Sequence, residues 1–344
     1  MAQTVPSGDN TLLRDAIPVR KIGRVERFLG PENYRIVQGL MKTPASIAGF
    51  SLVLFFVLIA IFAPLIVPPV SKDPYSIPRD GFKSDPQPMG TEWKRNEPDK
   101  PFWFAITGQE KWTHIFGTSE GQYDIFYGII WGTRTAFYAG LIVTISTLLL
   151  GIVYGSVAAY YGGWVDMIMM RIVDVLSILP GVLAALILAA ILTPLIGKST
   201  VPVMVALIAF GWMGYSRFIR ADILSVRERD YILAARVVGV QDSRILFQHI
   251  LPNAIFPTLI LASMAIGDVV LSFAGLSFLG VGVEIGYADW GQLLSFARNW
   301  ITSLNTYWYI IAWPGFFLVL FVMGWNLIGD ALRDVLDPRM RGKT

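Results

Sequence analysis

The chain has 344 residues, of which 54% are hydrophobic and 15% charged, and its formal net charge at pH 7 is +3. Soluble domains carry about 25% charged residues, so this composition excludes an ordinary soluble domain and predicts an integral membrane protein. The sequence contains no cysteine, which excludes disulfides, iron–sulfur clusters and thiol catalysis. No run of lysine or arginine indicates nucleic-acid binding, and two histidines in different polar segments do not suggest a metal centre.

The N-terminal part of the chain is a polar, basic tail, residues 1–44, followed by the first apolar run at 45–67. This run begins too late and is too long for a cleaved signal peptide, and it is long enough to cross a bilayer. It ends at Pro68-Pro69, and residues 70–130 form a long polar segment rich in proline, tryptophan and acidic residues.

Five more apolar runs follow, most of them near the roughly 20 residues that a transmembrane helix needs. They cover residues 135–160, 172–196 (interrupted by Pro180 and Pro194), 201–215, 254–283 and 307–328. An amphipathic stretch with Trp290 and Trp300 separates the last two. The sequence therefore predicts an all-α integral membrane protein with six transmembrane helices.

Lysine and arginine are concentrated in the N-terminal tail, in the polar segment after residue 215 and in the C-terminal tail. With six crossings these three regions lie on one side, which the positive-inside rule makes cytoplasmic. We accordingly divide the chain into consecutive parts: cytoplasmic tail 1–44, first transmembrane helix 45–68, extracytoplasmic segment 69–134, core 135–329 of five transmembrane helices including a cytoplasmic loop 217–253, and cytoplasmic tail 330–344.

The polar segment 228–253 contains two short helical patterns on either side of Gly239. Gly239 allows the positive φ of a sharp turn between helices. Asp242 or Ser243 is expected to cap the second helix and Pro252 to end it. A compact, arginine-bearing pair of helices between membrane spans suits docking to a partner in the aqueous phase, although an ordinary polar loop is the simpler alternative.

Two features inside the predicted spans stand out. Small residues recur at four-residue spacing, which either brings helices close together or reflects how common small residues are in membrane helices; they are Gly151, Gly155 and Ala159, and then Ser263 and Gly267. Asp268 lies deep in the fifth span, where a carboxylate is either functional or pairs with a neighbouring helix. For Asp174 and Arg134, near the interfaces, we favour a structural role.

Two glycine motifs are rejected. Gly197-Lys198-Ser199 lacks the first glycine of a phosphate-binding loop, because position 192 is Leu192. Gly280, Gly282 and Gly286 have the wrong spacing for a dinucleotide fingerprint and no surrounding βαβ unit. No Ser/His/Asp set can be assembled either, so the chain is not expected to hydrolyse ATP or to be an enzyme.

Ala234-Ala235, Gly239 and Ile250-Leu251-Pro252 resemble the signature loop of the permease subunits of ABC importers, in which Leu233 replaces the usual glutamate. The chain is most similar to the second permease of the oligopeptide/dipeptide/nickel branch. The other motifs that carry the resemblance are His114, Gly117-Thr118, Asp124, Gly132-Thr133-Arg134, Tyr161-Gly162-Gly163-Trp164-Val165-Asp166, Leu276-Ser277-Phe278-Leu279-Gly280, Asp289-Trp290-Gly291, Gly329-Asp330-Ala331-Leu332-Arg333-Asp334 and Asp337-Pro338-Arg339. The resemblance spans roughly residues 35–341, and the external segment around 70–112 looks longer than is usual.

This resemblance implies a bacterial or archaeal inner-membrane importer with both termini of this chain in the cytoplasm. Its partners would be a homologous second permease, two ATPase subunits and an extracytoplasmic substrate-binding protein, which would face residues 114–130 and 284–305. ATP and magnesium would bind to the ATPases, and this chain would bind no cofactor.

The resemblance and the intramembrane polar residues together provide two sets of candidate site residues. The expected ATPase-docking residues are Tyr231, Ala234, Ala235, Arg236, Gly239, Val240, Asp242, Leu251 and Pro252. The candidates for the translocation path are Asp268, Ser263 and Ser272. The expected cargo is a short peptide or a similar solute, such as a nickel complex or an oligosaccharide. The alternative function is a self-sufficient secondary transporter or channel, which would favour matching broken helices and no docking loop.

Overall fold

The computed structural model describes residues 43–336. The predicted tail 1–44 therefore lies almost wholly outside the described residues, as does the end of the predicted tail 330–344. The described part of the chain is helical, with isolated β-bridges between its loops. In chain order the helices are α1 Pro44–Ile66, α2 Phe102–Thr107, α3 Ile125–Tyr161, α4 Gly163–Leu176, α5 Gly181–Ile196, α6 Thr200–Arg227, α7 Asp230–Val237, α8 Asp242–Phe278, α9 Trp290–Ser295, α10 Leu304–Tyr307 and α11 Tyr309–Leu336.

Five of these helices are each long and apolar enough to span a membrane, namely α1, α3, α6, α8 and α11. The bent pair α4 and α5 provides a sixth span if the pair is counted as one crossing. The predicted all-α class with six membrane helices is thus confirmed.

The third predicted span, 172–196, is not one helix. It consists of α4, which begins earlier at Gly163, and α5, and the two are bent by 78° at the break between Leu176 and Gly181. Pro180 lies in this break, because proline disfavours helical backbone at the residue before it. Pro194, the second predicted interruption, lies inside α5 and does not end the helix.

Two helix ends near the polar segment also differ from the prediction. The run predicted at 201–215 continues as α6 to Arg227, so Arg217 and Arg220 lie on this helix. Pro252 does not end a helix, because α8 runs through it to Phe278. A π-helical turn over Ile245–Ile250 comes just before Pro252, and this change of hydrogen-bond register accommodates a residue that has no N–H to donate.

Small residues allow the spans to approach closely. A β-carbon at Gly151 would collide with Tyr215, and one at Gly155 would collide with the carbonyl oxygen of Ser216, so α3 lies directly against α6. A β-carbon at Gly267 on α8 would lie 3.2 Å from the Cα of Val322 on α11. The small-residue pattern therefore marks real helix contacts at these positions.

The long segment between α1 and α3 is packed onto the ends of both helices. Trp103 on α2 donates its indole N–H to the carbonyl of Ile66 at 3.0 Å, and Trp131 on α3 donates to the carbonyl of Val67 at 3.1 Å. The ring of Trp112, which is 2% exposed, packs edge-to-face against that of Trp103. We call residues 70–124 the outer cap.

A buried polar cluster joins the outer cap to the start of α3. The ring of His114 has no exposed surface; its Nδ1 lies 2.7 Å from Oδ2 of Asp124, and its Nε2 lies 3.4 Å from Oδ2 of Asp80. Asp124 also caps α3 by accepting the backbone N–H of Tyr127 at 2.6 Å. Burial favours a raised pKa for Asp80, but hydrogen bonds from the backbone N–H groups of Arg95 and Lys94 and from the side chain of Gln87 hold the pKa below its ordinary value of 3.8.

The stretch between α8 and α11 folds back onto the same face. Asp289, 4% exposed, caps α9 by accepting the N–H of Gln292 at 3.0 Å. Thr135 on α3 donates its hydroxyl to the carbonyl of Ala288 at 2.8 Å. Burial raises the pKa of Asp289 to about 6, against hydrogen bonds from neighbouring groups that lower it.

Candidate docking site

The candidate docking segment consists of α7 and the beginning of α8, residues 230–250, joined by a tight turn. Gly239 has a φ of +81°, as predicted. Val240 donates its N–H to the carbonyl of Ala235 at 3.1 Å, and Gly239 donates to that of Arg236 at 3.0 Å. These two bonds form a Schellman motif, in which glycine supplies the left-handed residue. The predicted cap of the second helix is wrong: Gln241 occupies the capping position and makes no side-chain capping bond.

The base of the segment is buried in a cluster of apolar side chains. Ile232 on α7 is completely buried, and Ile245, Leu246 and Ile250 at the start of α8 are at most 5% exposed. They pack with side chains of α6 and of the end of α3. The remaining fully buried or nearly buried members are Ile152, Ala159, Tyr160, Ile219, Ile223, Val226 and Ala254. The segment is therefore part of the packed helical body.

The tip of the segment has the opposite character. Val237 and Val238, directly before Gly239, are 87% and 82% exposed, and Phe247 on α8 is 60% exposed. Exposed apolar side chains concentrated at one turn are typical of a surface that a partner covers. Ala234 adds a small exposed position on α7, where a larger side chain would alter the shape of the surface.

Tyr160, at the end of α3, connects the segment to the membrane spans. Its hydroxyl donates to Oδ1 of Asp242 on α8, and the guanidinium of Arg236 on α7 lies 5.8 Å from the centre of its ring. Arg227, at the end of α6, donates to the carbonyl of Ala159 at 3.0 Å. Polar contacts thus hold both helices of the segment to one position of α3.

The first helix of the broken pair, α4, is held to α6 by two arginines. Arg220 forms a two-pronged ion pair with Asp166, with both N–O distances at 2.5 Å. Arg217 lies 3.2 Å from Oδ1 of Asp174 and also donates to Ser177 at 2.9 Å, beside the break. This pairing agrees with the structural role predicted for Asp174. Arg134 lies over the ring of Trp131 at 5.2 Å, a contact that also stabilises packing.

The predicted docking residues fall into two groups. Tyr231, Ala234, Arg236, Gly239, Asp242 and, just beyond the segment, Pro252 are exposed, whereas Ala235, Val240 and Leu251 are half-buried against the apolar cluster. Sequence reasoning missed Tyr160 and Ile232. Tyr160 directly precedes the Tyr161–Asp166 motif, but nothing in that pattern indicates contact with a segment 82 residues away.

Only two of the three candidates for the translocation path line the same cavity. Asp268 and Ser272, one turn apart on α8, line one cavity of about 240 Å³ between α3, α5, α6 and α8. Ser263 is not among the residues that line it, and its hydroxyl donates to the carbonyl of Ile260 at 2.7 Å.

The chain is similar to known transport proteins. Residues 148–342 match a family described as the inner membrane component of binding-protein-dependent transport systems. The chain is 33% identical over 302 residues to the dipeptide transport system permease protein DppC of Alkalihalophilus pseudofirmus, covering 88% of each. It is 31% identical over 228 residues to the oligopeptide transport system permease protein OppC of Bacillus subtilis, covering 66% of this chain and 72% of the relative. It is 36% identical to the glutathione transport system permease protein GsiD of Pectobacterium atrosepticum, covering 66% of this chain and 73% of the relative.

Proposed function

The chain belongs to the family of inner membrane components of binding-protein-dependent transport systems, and on that premise we propose that it is the permease subunit of an ATP-driven importer of short peptides. The similar proteins described above are named for dipeptide, oligopeptide and glutathione transport, which supports a short peptide as cargo. The chain itself is a non-catalytic subunit.

The observation that carries this proposal is the contrast between the tip and the base of the docking segment. Val237 and Val238 offer exposed apolar surface, whereas Ile232, on the same short helix, is completely buried. A partner that binds the tip therefore applies force to a rigidly supported element. A flexible loop without a buried base would absorb such a displacement.

In the proposed mechanism, two ATPase subunits bind ATP and magnesium and close on each other. One of them holds the tip around Gly239, and its movement reaches the spans through the apolar cluster and through Tyr160. Because packed interfaces switch between discrete arrangements, the spans alternate between outward and inward access as rigid bodies. A homologous second permease completes the pathway, and a substrate-binding protein delivers peptide to the outer face.

The distribution of basic residues supports the orientation that this mechanism requires. Arg236 and Arg244 lie on the docking segment, and Arg217, Arg220 and Arg227 lie on the half of α6 that leads to it. Arginine-rich segments remain cytoplasmic. The outer cap then faces the binding protein, and both termini lie in the cytoplasm of a bacterial or archaeal cell.

The test is peptide-stimulated ATP hydrolysis by the assembled complex in vesicles. Gly239→Pro removes the left-handed turn, and Ala234→Trp alters the exposed surface of α7, so both variants should abolish the stimulation while the chain still inserts and assembles. The control is Ala105→Trp, an equally large change at an exposed position on α2 of the outer cap, which should retain stimulation. Wild-type stimulation in both docking variants would refute the proposal.

A further inference from the structure

Asp268 is exposed on α8 and borders a partly open, mostly apolar cavity between the described spans. Thr147 of α3, Gly181 of α5 and Tyr215 of α6 contribute to its walls, and Ala265, Asp268, Val269 and Ser272 form the α8 side. These four α8 residues share a helix face at three- and four-residue spacing. The cavity therefore receives the carboxylate, a serine and a threonine from adjacent helices.

Asp268 lies near the middle of the membrane. It precedes Phe278, the last residue of α8, by ten residues, which corresponds to about 15 Å along a helix or roughly half of the hydrocarbon thickness. Within residues 43–336 no lysine, arginine or histidine nitrogen lies within 4.0 Å of its carboxylate. By contrast, Asp166 and Asp174 each pair with an arginine of α6.

A carboxylate at this depth is costly unless it meets a cation. Resting on the proposed function, we propose that Asp268 binds the amino-terminal ammonium group of a peptide during its passage through the permease. The relatives named above are named for the transport of dipeptides, oligopeptides and glutathione, and a free ammonium group is the cationic feature that such peptides share. The cavity of about 240 Å³ is smaller than the roughly 300–1,000 Å³ typical of drug-sized ligands, so it fits the amino-terminal end of a peptide.

The serine and threonine hydroxyls extend this site. An ammonium group offers three donors, of which the carboxylate accepts one or two. Ser272 lies one turn from Asp268 on the same face, and its hydroxyl oxygen is available as a further acceptor in the cavity wall. The apolar members of the lining, among them Val143, Leu207 and Phe210, then contact the side chains of the peptide without selecting among them.

The absence of cysteine allows a direct test on the assembled complex, because Ser272→Cys places a single thiol of this chain in the cavity wall. The rate of its alkylation is followed on this chain, with dialanine or N-acetyl-dialanine present at millimolar concentration. We expect dialanine to slow alkylation about tenfold, as a charge-assisted hydrogen bond allows, and N-acetyl-dialanine to have no effect. Ser263→Cys, on the same helix outside the cavity lining, is the control and should react equally in all conditions.

Adding Asp268→Asn should remove the protection by dialanine, and Asp268→Glu should retain it. Equal protection by both peptides, protection that survives Asp268→Asn, or no protection at all would overturn the proposal. Loss of the second permease from the Asp268→Asn complex would also overturn it, because Asp268 would then pair with that subunit. Peptide-stimulated ATP hydrolysis, measured in the same vesicles, reports separately on the proposed function: its presence without thiol protection refutes the ammonium site alone.

Discussion

The outer cap and the docking segment both connect membrane spans, but they bury different kinds of side chain. The cap buries its polar groups: His114, Asp80 and Asp124 are at most 3% exposed and are joined to one another. The docking segment buries apolar side chains at its base and exposes others at its tip, where Val237 is 87% exposed. The cap is therefore held together by buried polar contacts, whereas the docking segment presents exposed apolar surface on a buried apolar base.

The largest effect is expected from Asp124→Ala in the cap. The change removes the cap of α3 and leaves His114 buried without its closest partner. Loss of the cap costs about 1 kcal/mol and leaving a buried polar group without its partner costs about 1–3 kcal/mol, so the complex should unfold at a markedly lower temperature. Glu92→Ala is the control, because Glu92 pairs with Lys111 on the surface, where their side chains are 64% and 69% exposed, and its loss should cost no more than about 1 kcal/mol. Equal unfolding temperatures in the two variants would mean that the cap is not held by its buried cluster.

Within the docking segment, Ile232→Ala and Val237→Ala separate the base from the tip. Ile232 is completely buried, so its truncation should destabilise the segment by about 3 kcal/mol and speed hydrogen exchange over residues 230–250. Val237→Ala should change stability by less than about 0.5 kcal/mol yet weaken ATPase binding. If both variants exchange alike, the distinction between base and tip fails.

The stability of the outer face is expected to depend on pH through Asp289. Burial raises the pKa of Asp289 from 3.8 to about 6, so the folded state holds a proton that the unfolded chain has released. The contribution of Asp289 to stability should therefore be full below about pH 3.8 and be lost as the pH rises through about 6, by no more than about 3 kcal/mol. Thermal unfolding of the complex at stepped pH measures this slope.

Asp289→Asn should abolish the slope between pH 4 and 6, because asparagine does not titrate. Asp80 does not obscure this window, since its lowered pKa costs stability only as the pH falls below its ordinary value of 3.8. An unchanged slope in Asp289→Asn would assign the titration to another group.

The smallest effect is expected from Tyr160→Phe, which deletes the hydroxyl that donates to Asp242 and keeps the ring beneath Arg236. One hydrogen bond contributes about 1 kcal/mol, so the fold should persist while ATP hydrolysis becomes less responsive to peptide. Tyr161→Phe is the matched control, because Tyr161 is 66% exposed. Equal coupling in the two variants would exclude Tyr160 from the connection.

The number and class of the membrane helices could be predicted from the sequence because each long apolar run must satisfy its own backbone in lipid. The tight turn at Gly239 was predictable because glycine alone adopts a positive φ without strain. Pro180 was correctly identified as an interruption, but the 78° bend also involves contacts with α6, whose Arg217 and Arg220 hold α4 and the break at Ser177.

The remaining features depend on contacts between residues far apart in the chain, which local sequence patterns do not predict. Asp80 meets His114 across 34 residues, and Tyr160 meets Asp242 across 82 residues. Pro252 was expected to end a helix, and a π-helical turn accommodates it instead. For the candidate site, the residue types of the docking segment were predictable, whereas the division between its buried base and its exposed tip required the packing of α3, α6 and α8.

The most direct test of the docking account again relies on the absence of native cysteine, so that each introduced thiol is the only one in this chain. Val238→Cys places a thiol at the tip, 82% exposed, and Ile285→Cys places one on the outer face, where Ile285 is 72% exposed. In sealed cells, we predict that Val238→Cys cross-links to the ATPase and resists a membrane-impermeant thiol reagent, while Ile285→Cys reacts with the reagent and forms no such cross-link. Labelling of Val238→Cys from outside, without a cross-link to the ATPase, would contradict the account.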